Sequence, residues 1–271
     1  MARTVKRFGK DKAPVVMHAT AKEGFGSAAE VYERARPGYP ATACDYLVDA
    51  LGVPSDGTLL DLAAGTGKLT RELVARGVRC VAVEPVSRMR RIMTEQLPEV
   101  WSFNGTAENI PLDSGSIDAV TVAQAFHWFD QDAAIAEIAR VLKPGGRLAV
   151  VFNVRDTRVD WVRRVTEIID PHEGDVRIPR YRDQDWKPAF ERARATFTAV
   201  EALEFPHAQP MTPEGLKERV ASVSFIAVLP EETRAQVMQQ IEELTASHPD
   251  LARRASFEHP YVTEVYVYAR A

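Results

Sequence analysis

The sequence contains little cysteine, no long apolar run and no excess of positive charge. Cys44 and Cys80 are the only cysteines among 271 residues, too few for a disulfide framework, so we expect a reducing compartment and a cytoplasmic protein. No apolar run approaches the ~18 residues of a membrane helix, and no apolar stretch follows the first basic residues as in a secretory signal. The net charge of −4 argues against a protein that coats nucleic acid or an anionic membrane. Soluble enzymes and binding domains remain as the possible classes of protein.

Turn residues and hydrophobic periodicity divide the chain into a short arm and one long domain. Residues 1–26 are basic and lack periodicity, which predicts a flexible arm. We expect one domain over 27–271, and the sequence leaves open whether the arm reaches a second copy in a homo-oligomer. Its central part, about 56–154, alternates strand and helix patterns, and 27–52 and 155–250 are expected to form a lid on the substrate side.

The central alternation predicts an α/β fold. Buried-strand patterns occur at 58–61, 78–83, 100–104, 117–123 and 148–152, with helical patterns at 68–76, 87–97 and 131–142 between them. Strands that alternate with helices form parallel sheets with right-handed crossovers, so we predict a doubly wound sheet. Two later segments, 199–207 and 262–268, also alternate as strands do.

The turn after the first predicted strand contains the residues most typical of a ligand site. Asp61 ends the strand, and Gly65 and Gly67 lead into the helix, where free backbone amides meet a ligand. A P-loop would need glycine and a hydroxyl residue where Leu62 and Leu69 stand, which excludes it. A dinucleotide motif would have its third glycine at position 70, which is Thr70. The turn therefore favours a nucleoside ligand without a pyrophosphate, with Asp61 accepting a hydrogen bond from a cationic amine.

Two further segments reach the same edge of the predicted sheet. Glu84 ends the second strand, 23 residues after Asp61, where an acid can accept both hydroxyls of a ribose. The loop 105–111 follows the third strand and is polar. Ligands of open α/β folds bind at this carboxyl edge, so we expect both segments to face the ligand.

Taken together, these motifs resemble a class I S-adenosylmethionine-dependent methyltransferase of the small-molecule type known as type 11. The matching segments are Asp61-x-x-x-Gly65-x-Gly67, Glu84, Ala107-Glu108-x-x-Pro111-Leu112, Asp118, Phe126-His127-Trp128 and Leu142-Lys143-Pro144-Gly145-Gly146. The segment Tyr32-x-x-x-Arg36-Pro37-Gly38-Tyr39-Pro40 is similar to one in trans-aconitate-type methyltransferases. The resemblance implies a Rossmann-like seven-stranded sheet of order 3-2-1-4-5-7-6, with strand 7 antiparallel.

The resemblance also implies which residues meet the cofactor and the substrate. S-Adenosylmethionine, with S-adenosylhomocysteine as product, would contact Asp61, Ala63, Gly65, Gly67, Glu84, Ala107, Glu108 and Gln124. Ala63 departs from the family, which usually has glycine there. His127 is the candidate general base, and Tyr32, Arg36, Tyr39 and Trp128 are the candidate substrate residues. The histidines show no metal-ligand spacing, so no metal is expected.

Three functions remain open from the sequence. The first is methyl transfer to an oxygen, nitrogen or carbon atom of a small molecule, without nucleic acid or membrane partners. The second is a nicotinamide-dependent oxidoreductase, which the residue at position 70 disfavours. The third is a catalytically inactive partner protein that binds the cofactor. The sequence does not identify the acceptor.

Overall fold

The computed structural model describes residues 36–173 and 186–271, and one seven-stranded sheet runs through both parts. The strands are β1 (Leu59–Leu62), β2 (Cys80–Val83), β3 (Trp101–Phe103), β4 (Ile117–Ala123), β5 (Leu142–Arg155), β6 (Phe197–Met211) and β7 (Phe257–Arg270). Their order is β3-β2-β1-β4-β5-β7-β6. β1 to β5 pair in parallel, whereas β7 is antiparallel to both β5 and β6. The predicted fold, including the strand order, is confirmed.

Helices follow most strands in the first half of the chain and cluster near the end of the second half. They are α1 (Ala41–Leu51), α2 (Lys68–Ala75), α3 (Ser87–Gln96), α4 (Gln131–Val141), α5 (Asp160–Ile169), α6 (Lys187–Arg192), α7 (Pro213–Ala221), α8 (Ser224–Ala227) and α9 (Glu231–Ser247). Short 3₁₀ turns occur at Phe126–Trp128 and Asp170–Glu173. No helix in these two described ranges is long and apolar enough to cross a membrane.

The central strands are apolar because helices cover both faces of the sheet. All four residues of β1 and all four of β2 are buried, as expected for parallel strands between two layers. Residues that alternate along β1 enter different core clusters: Leu60 and Leu62 pack on one face, and Leu59 packs on the other with α1 and α2. A third cluster joins α5, α7 and α9. This packing fixes the carboxyl ends of β1, β4 and β5 beside one another.

β5 and β6 are longer than their sequence patterns indicate. β6 spans Phe197–Met211, and most of its residues are exposed, so the apolar alternation marks only part of it. Pro206 and Pro210 are accommodated because β6 lies at the edge of the sheet. β5 begins at Leu142 rather than Leu148, because residues 142–147 form an irregular stretch of the strand where its register with β4 shifts.

Candidate functional site

A crevice of about 550 Å³, counting the solvent-open space at its mouth, lies at the carboxyl ends of β1, β4 and β5. Six residues predicted from the sequence line it: Arg36, Tyr39, Asp61, Ala63, Gly65 and Gln124. The lining also includes Pro37, Ala64, Thr66, Lys68, Leu69, Ala123, Asn153 and Arg219. The crevice therefore lies at the edge of the sheet where ligands of open α/β folds bind.

The turn between β1 and α2 has a backbone suited to glycine at three positions. Ala63, Gly65 and Gly67 have φ angles of 57°, 60° and 82°, all in the left-handed region. A side chain with a Cβ atom is strained there, by about 1–2 kcal/mol. Ala63 is therefore strained. The same backbone conformation explains why glycine is usual at this position in the family.

Gly65 and Gly67 serve different purposes in this turn. The amide of Gly65 donates to Oε2 of Glu84 over 2.9 Å, which joins the turn to the end of β2. A Cβ atom added to Gly67 would lie 2.7 Å from Cγ of Met93 on α3. Gly67 is absent from the crevice lining, and it permits the close packing of α3 on the turn.

Glu84 is buried and directs its carboxylate toward the glycine turn. Besides the bond from Gly65, its Oε1 accepts the amide of Val86 over 2.7 Å. Burial raises the pKa of this carboxyl from 4.5 to about 7, although the two amides act in the opposite direction. Each carboxylate oxygen keeps a second lone pair that can accept a hydroxyl. Glu84 is absent from the crevice lining but is bonded to Gly65, which lines it.

Asp61 accepts hydrogen bonds from two threonine hydroxyls. Thr70 Oγ1 donates to Oδ2 over 2.5 Å, and Thr121 Oγ1 donates to Oδ1 over 3.0 Å. Burial raises the pKa of Asp61 to about 6, against the effect of these hydroxyls. Thr70 therefore occupies the position of the third dinucleotide glycine and holds the carboxylate of Asp61 at the base of the crevice. The expected bond from Asp61 to a cationic amine stays a prediction.

The loop after β3 is held by hydrogen bonds from α4 as well as by its own packing. Glu137 Oε2 accepts the amide of Ile110 over 3.0 Å, and Arg140 donates to the carbonyls of Ile110 and Leu112, each over 2.8 Å. Within the loop, Ala107 is buried in the core, and Glu108 accepts the amide of Asp130 over 3.0 Å. Neither lines the crevice, so their contacts with an adenine ring stay predictions.

Gln124 lies directly after β4 and has a left-handed backbone, with φ of 59°. Its Nε2 donates to the carbonyl of Asn153 over 3.2 Å. Asn153 in turn donates to the carbonyl of Gly38 over 2.9 Å and accepts from Thr263 Oγ1 over 2.6 Å. These bonds connect the ends of β4, β5 and β7 to the segment that precedes α1.

His127 and Trp128 lie in the 3₁₀ turn beyond Gln124 and do not line the crevice. The ring of His127 contacts those of Trp128 and Phe152, with centroids 5.2 and 5.9 Å apart. Burial, together with the positive charge of Arg36, lowers the pKa of His127 to about 3. His127 is therefore neutral at pH 7. Its role as a base and the substrate role of Trp128 stay predictions.

The predicted substrate segment is only partly described. Arg36 Nη2 donates to the carbonyl of Ser222 over 3.0 Å, which ties this segment to the end of α7. Arg36 and Tyr39 both line the crevice. Tyr32 lies outside the described residues.

Arg219 is a crevice residue that the sequence interpretation missed. It lies on α7 and is only 8% exposed. The signal was present, since Leu216, Arg219 and Val220 have the i, i+3, i+4 spacing of a buried helix face. An arginine on such a face is unusual enough to indicate a functional site.

Relatives of this chain are methyltransferases. A family described as a methyltransferase domain matches residues 60–150. An uncharacterized methyltransferase of Mycobacterium tuberculosis is 43% identical over 243 residues, covering 88% of this chain and 92% of the relative. An uncharacterized methyltransferase-like protein of Schizosaccharomyces pombe is 33% identical, covering 87% and 91%. This chain belongs to the methyltransferase family.

The fold of this methyltransferase is also found in solved structures. A protein assigned to the type II methyltransferases of Anaeromyxobacter dehalogenans superposes with a TM-score of 0.62. The two are 24% identical, and the match covers 87% of this chain and 96% of the other. The match to residues 60–150 runs from β1 into β5 and includes the glycine turn, Glu84 and the loop after β3. Arg219 and its surroundings lie outside that segment.

Proposed function

We propose that this methyltransferase transfers a methyl group from S-adenosylmethionine to a small organic molecule. The observation that carries the proposal is the bond between Gly65 and Glu84, which places an acid of the β2 end against the glycine turn of the crevice. This arrangement offers backbone amides for an amino acid and a carboxylate for a ribose in one continuous site.

The residues present fit such a cofactor. The crevice lies directly beside the glycine turn, and Lys68 is in its lining. We propose that the turn from Ala63 to Gly67 holds this part and that Glu84 accepts the ribose hydroxyls through its second lone pairs. We expect Ala107 and Glu108, on the loop bonded to Arg140, to flank the adenine.

When bound, S-adenosylmethionine supplies a methyl group on a positively charged sulfur, which is an electrophile that needs no metal. The task of the chain is then to align an acceptor with the carbon–sulfur bond and to exclude water. Gln124 and Asn153, which are bonded to each other, form the wall on the β4 and β5 side. His127 would accept a proton where the acceptor must lose one, and its lowered pKa keeps it neutral and a weak base.

Calorimetry with S-adenosylhomocysteine and, separately, with NADH tests this proposal. We expect saturable heat from S-adenosylhomocysteine and none from NADH. Transfer of a labelled methyl group to members of an acceptor panel would then identify the substrate. Binding of NADH alone would contradict the proposal and favour the oxidoreductase.

The inactive-partner alternative is tested separately. A protein that binds S-adenosylhomocysteine but transfers no label to any acceptor, including extracts of small metabolites, would favour a cofactor-binding partner. We expect instead that the label appears in a small-molecule fraction.

A further inference from the structure

A ribbon of three strands extends past the crevice and presents a row of polar side chains on one face. Arg155 on β5 pairs with Tyr261 on β7, which pairs with His207 on β6. One step further along the same face, His259 pairs with Gln209. Residues paired directly across antiparallel strands share a face, and so do residues two positions apart, so these five side chains belong to one surface.

Arg219 reaches this surface from α7. Its Nε donates to the hydroxyl of Tyr261 over 3.2 Å, and its Nη1 is buried without a hydrogen-bond partner. No acidic side chain within 36–173 or 186–271 forms an ion pair with it. A buried cation without a counter-ion is costly to a folded protein, so such a residue indicates a ligand that supplies the negative charge.

The neighbours of Arg219 do not supply that charge. Tyr261 stacks on His259 with centroids 4.4 Å apart and on His207 at 5.7 Å. Burial, with Arg219 contributing, lowers the pKa of His259 to about 3, and burial also lowers that of His207. Both rings are therefore neutral at pH 7. His207 Nε2 and Gln209 Oε1, on the same surface, are also buried without hydrogen-bond partners.

The charged side chains that line the crevice are also mostly positive. Among the described residues that line it, Arg36, Lys68 and Arg219 are cationic and Asp61 is acidic, and the oxygens of Asp61 accept from two threonines. The cofactor of the proposed function carries a single carboxylate, which the turn after β1 is expected to hold. Arg219 belongs to α7 rather than to that turn, and it is bonded to Tyr261 on β7.

We propose that Arg219 binds a carboxylate of the methyl acceptor, so that the substrate is a small organic acid. Its Nη1 and Nη2 are left to form a two-pronged contact, since only Nε is engaged, and this fork matches the two oxygens of a carboxylate. A carboxylate is a planar group that this planar fork matches, and phosphate is the alternative anion that the test distinguishes from it. Tyr261 positions the guanidinium. The inference rests on the proposed function and names its substrate class.

The test uses the full chain saturated with S-adenosylhomocysteine and measures binding of succinate at constant ionic strength. Succinamide serves as the neutral analogue, and inorganic phosphate as the alternative anion. We expect wild type to bind succinate saturably and to be insensitive to succinamide. Arg219→Met should weaken succinate binding by roughly tenfold or more, the scale of one lost charged contact. The matched control is Arg254→Met, an exposed arginine, which should behave as wild type.

Several results would overturn the inference. Equal succinate binding by wild type and Arg219→Met, or no effect of succinate on wild type, would contradict it. Tighter binding of phosphate than of succinate would contradict the carboxylate assignment. Loss of affinity for S-adenosylhomocysteine in Arg219→Met would show that the guanidinium serves the cofactor instead. Failure of wild type to bind S-adenosylhomocysteine would refute the proposed function itself, which the first titration shows independently.

A second variant covers the case in which Arg219→Met does not fold. Arg219→Lys keeps the charge but lacks the fork, and we expect weaker succinate binding with unchanged binding of S-adenosylhomocysteine. If Arg219→Met folds, removal of the uncompensated charge should raise the melting temperature of the ligand-free protein. A lower melting temperature that succinate does not restore in Arg219→Lys would indicate a purely structural residue.

Discussion

Ala63 keeps a left-handed backbone conformation that L-residues rarely adopt, at the first position of the glycine turn. Ala63→Gly should relieve this strain and raise the free energy of unfolding by up to about 1 kcal/mol, measured by chemical denaturation. Ala64→Gly is the matched control, because Ala64 has no positive φ and should lose about 1 kcal/mol. Equal losses in both variants would contradict the strain at position 63.

Glu84 should make cofactor binding depend on pH. Burial raises its pKa to about 7, with Arg90 lowering it and Asp61 raising it. Only the ionised carboxylate accepts both ribose hydroxyls, so the affinity for S-adenosylmethionine should rise with pH through about 7. Below that pKa the change approaches about tenfold per pH unit. Calorimetry between pH 6 and 8 measures it.

The variant Glu84→Gln isolates this titration. It should weaken binding by about 1–3 kcal/mol and flatten the pH profile, because an amide neither ionises nor accepts through both atoms. Glu99→Gln, at an exposed acid, should keep the profile of wild type. A pH slope that survives in Glu84→Gln would assign the titration to another group.

At the scale of single residues, sequence reasoning found acids at strand ends but not the contacts that hold them. Glu84 was predicted because it ends the second strand at a typical spacing from the glycine turn. The hydroxyl of Thr70 on Asp61 could not be predicted, since it depends on how a helix turn lies over a strand. The spacing of Arg219 on a buried helix face was visible in the sequence, but its bond to Tyr261, 42 residues away in the chain, was not.

The packing of α3 on the glycine turn depends on Gly67. Gly67 and Gly77 have nearly equal φ angles, 82° and 83°, but only Gly67 has a close neighbour at the Cβ position, Met93. Gly67→Ala should therefore cost about 2–5 kcal/mol, from strain and overpacking together, and Gly77→Ala about 1–2 kcal/mol from strain alone. Chemical denaturation of both variants measures the difference. Equal losses would show that α3 yields to the added methyl group.

Helices and strands with strong periodicity were well predicted, whereas a very short helix and the ends of an exposed strand were not. β4 at Ile117–Ala123 matches its predicted bounds, and α2 at Lys68–Ala75 and α3 at Ser87–Gln96 each end one residue earlier than predicted. α8 at Ser224–Ala227 was not predicted, since four residues are too short for a periodic pattern. β6 is exposed along most of its length, which removes the burial signal at its ends.

For the whole molecule, the alternation of strands and helices predicted the parallel part of the sheet. The antiparallel β7 between β5 and β6 was predicted only through the resemblance to methyltransferases, because alternation alone does not fix the order of late strands. The crevice follows from that order, since β1 and β4 are neighbours and helices leave their carboxyl ends open. Its extension along β5, β7 and β6, where Arg219 lies, was beyond the reach of the sequence pattern.

The most direct measurement is a crystal structure of the protein with S-adenosylhomocysteine. The account predicts that the amino-acid part lies on the turn from Ala63 to Gly67, with both ribose hydroxyls bonded to the carboxylate of Glu84. The homocysteine sulfur should then face Gln124 across the crevice. A ligand bound elsewhere, or a ribose without contact to Glu84, would contradict the account.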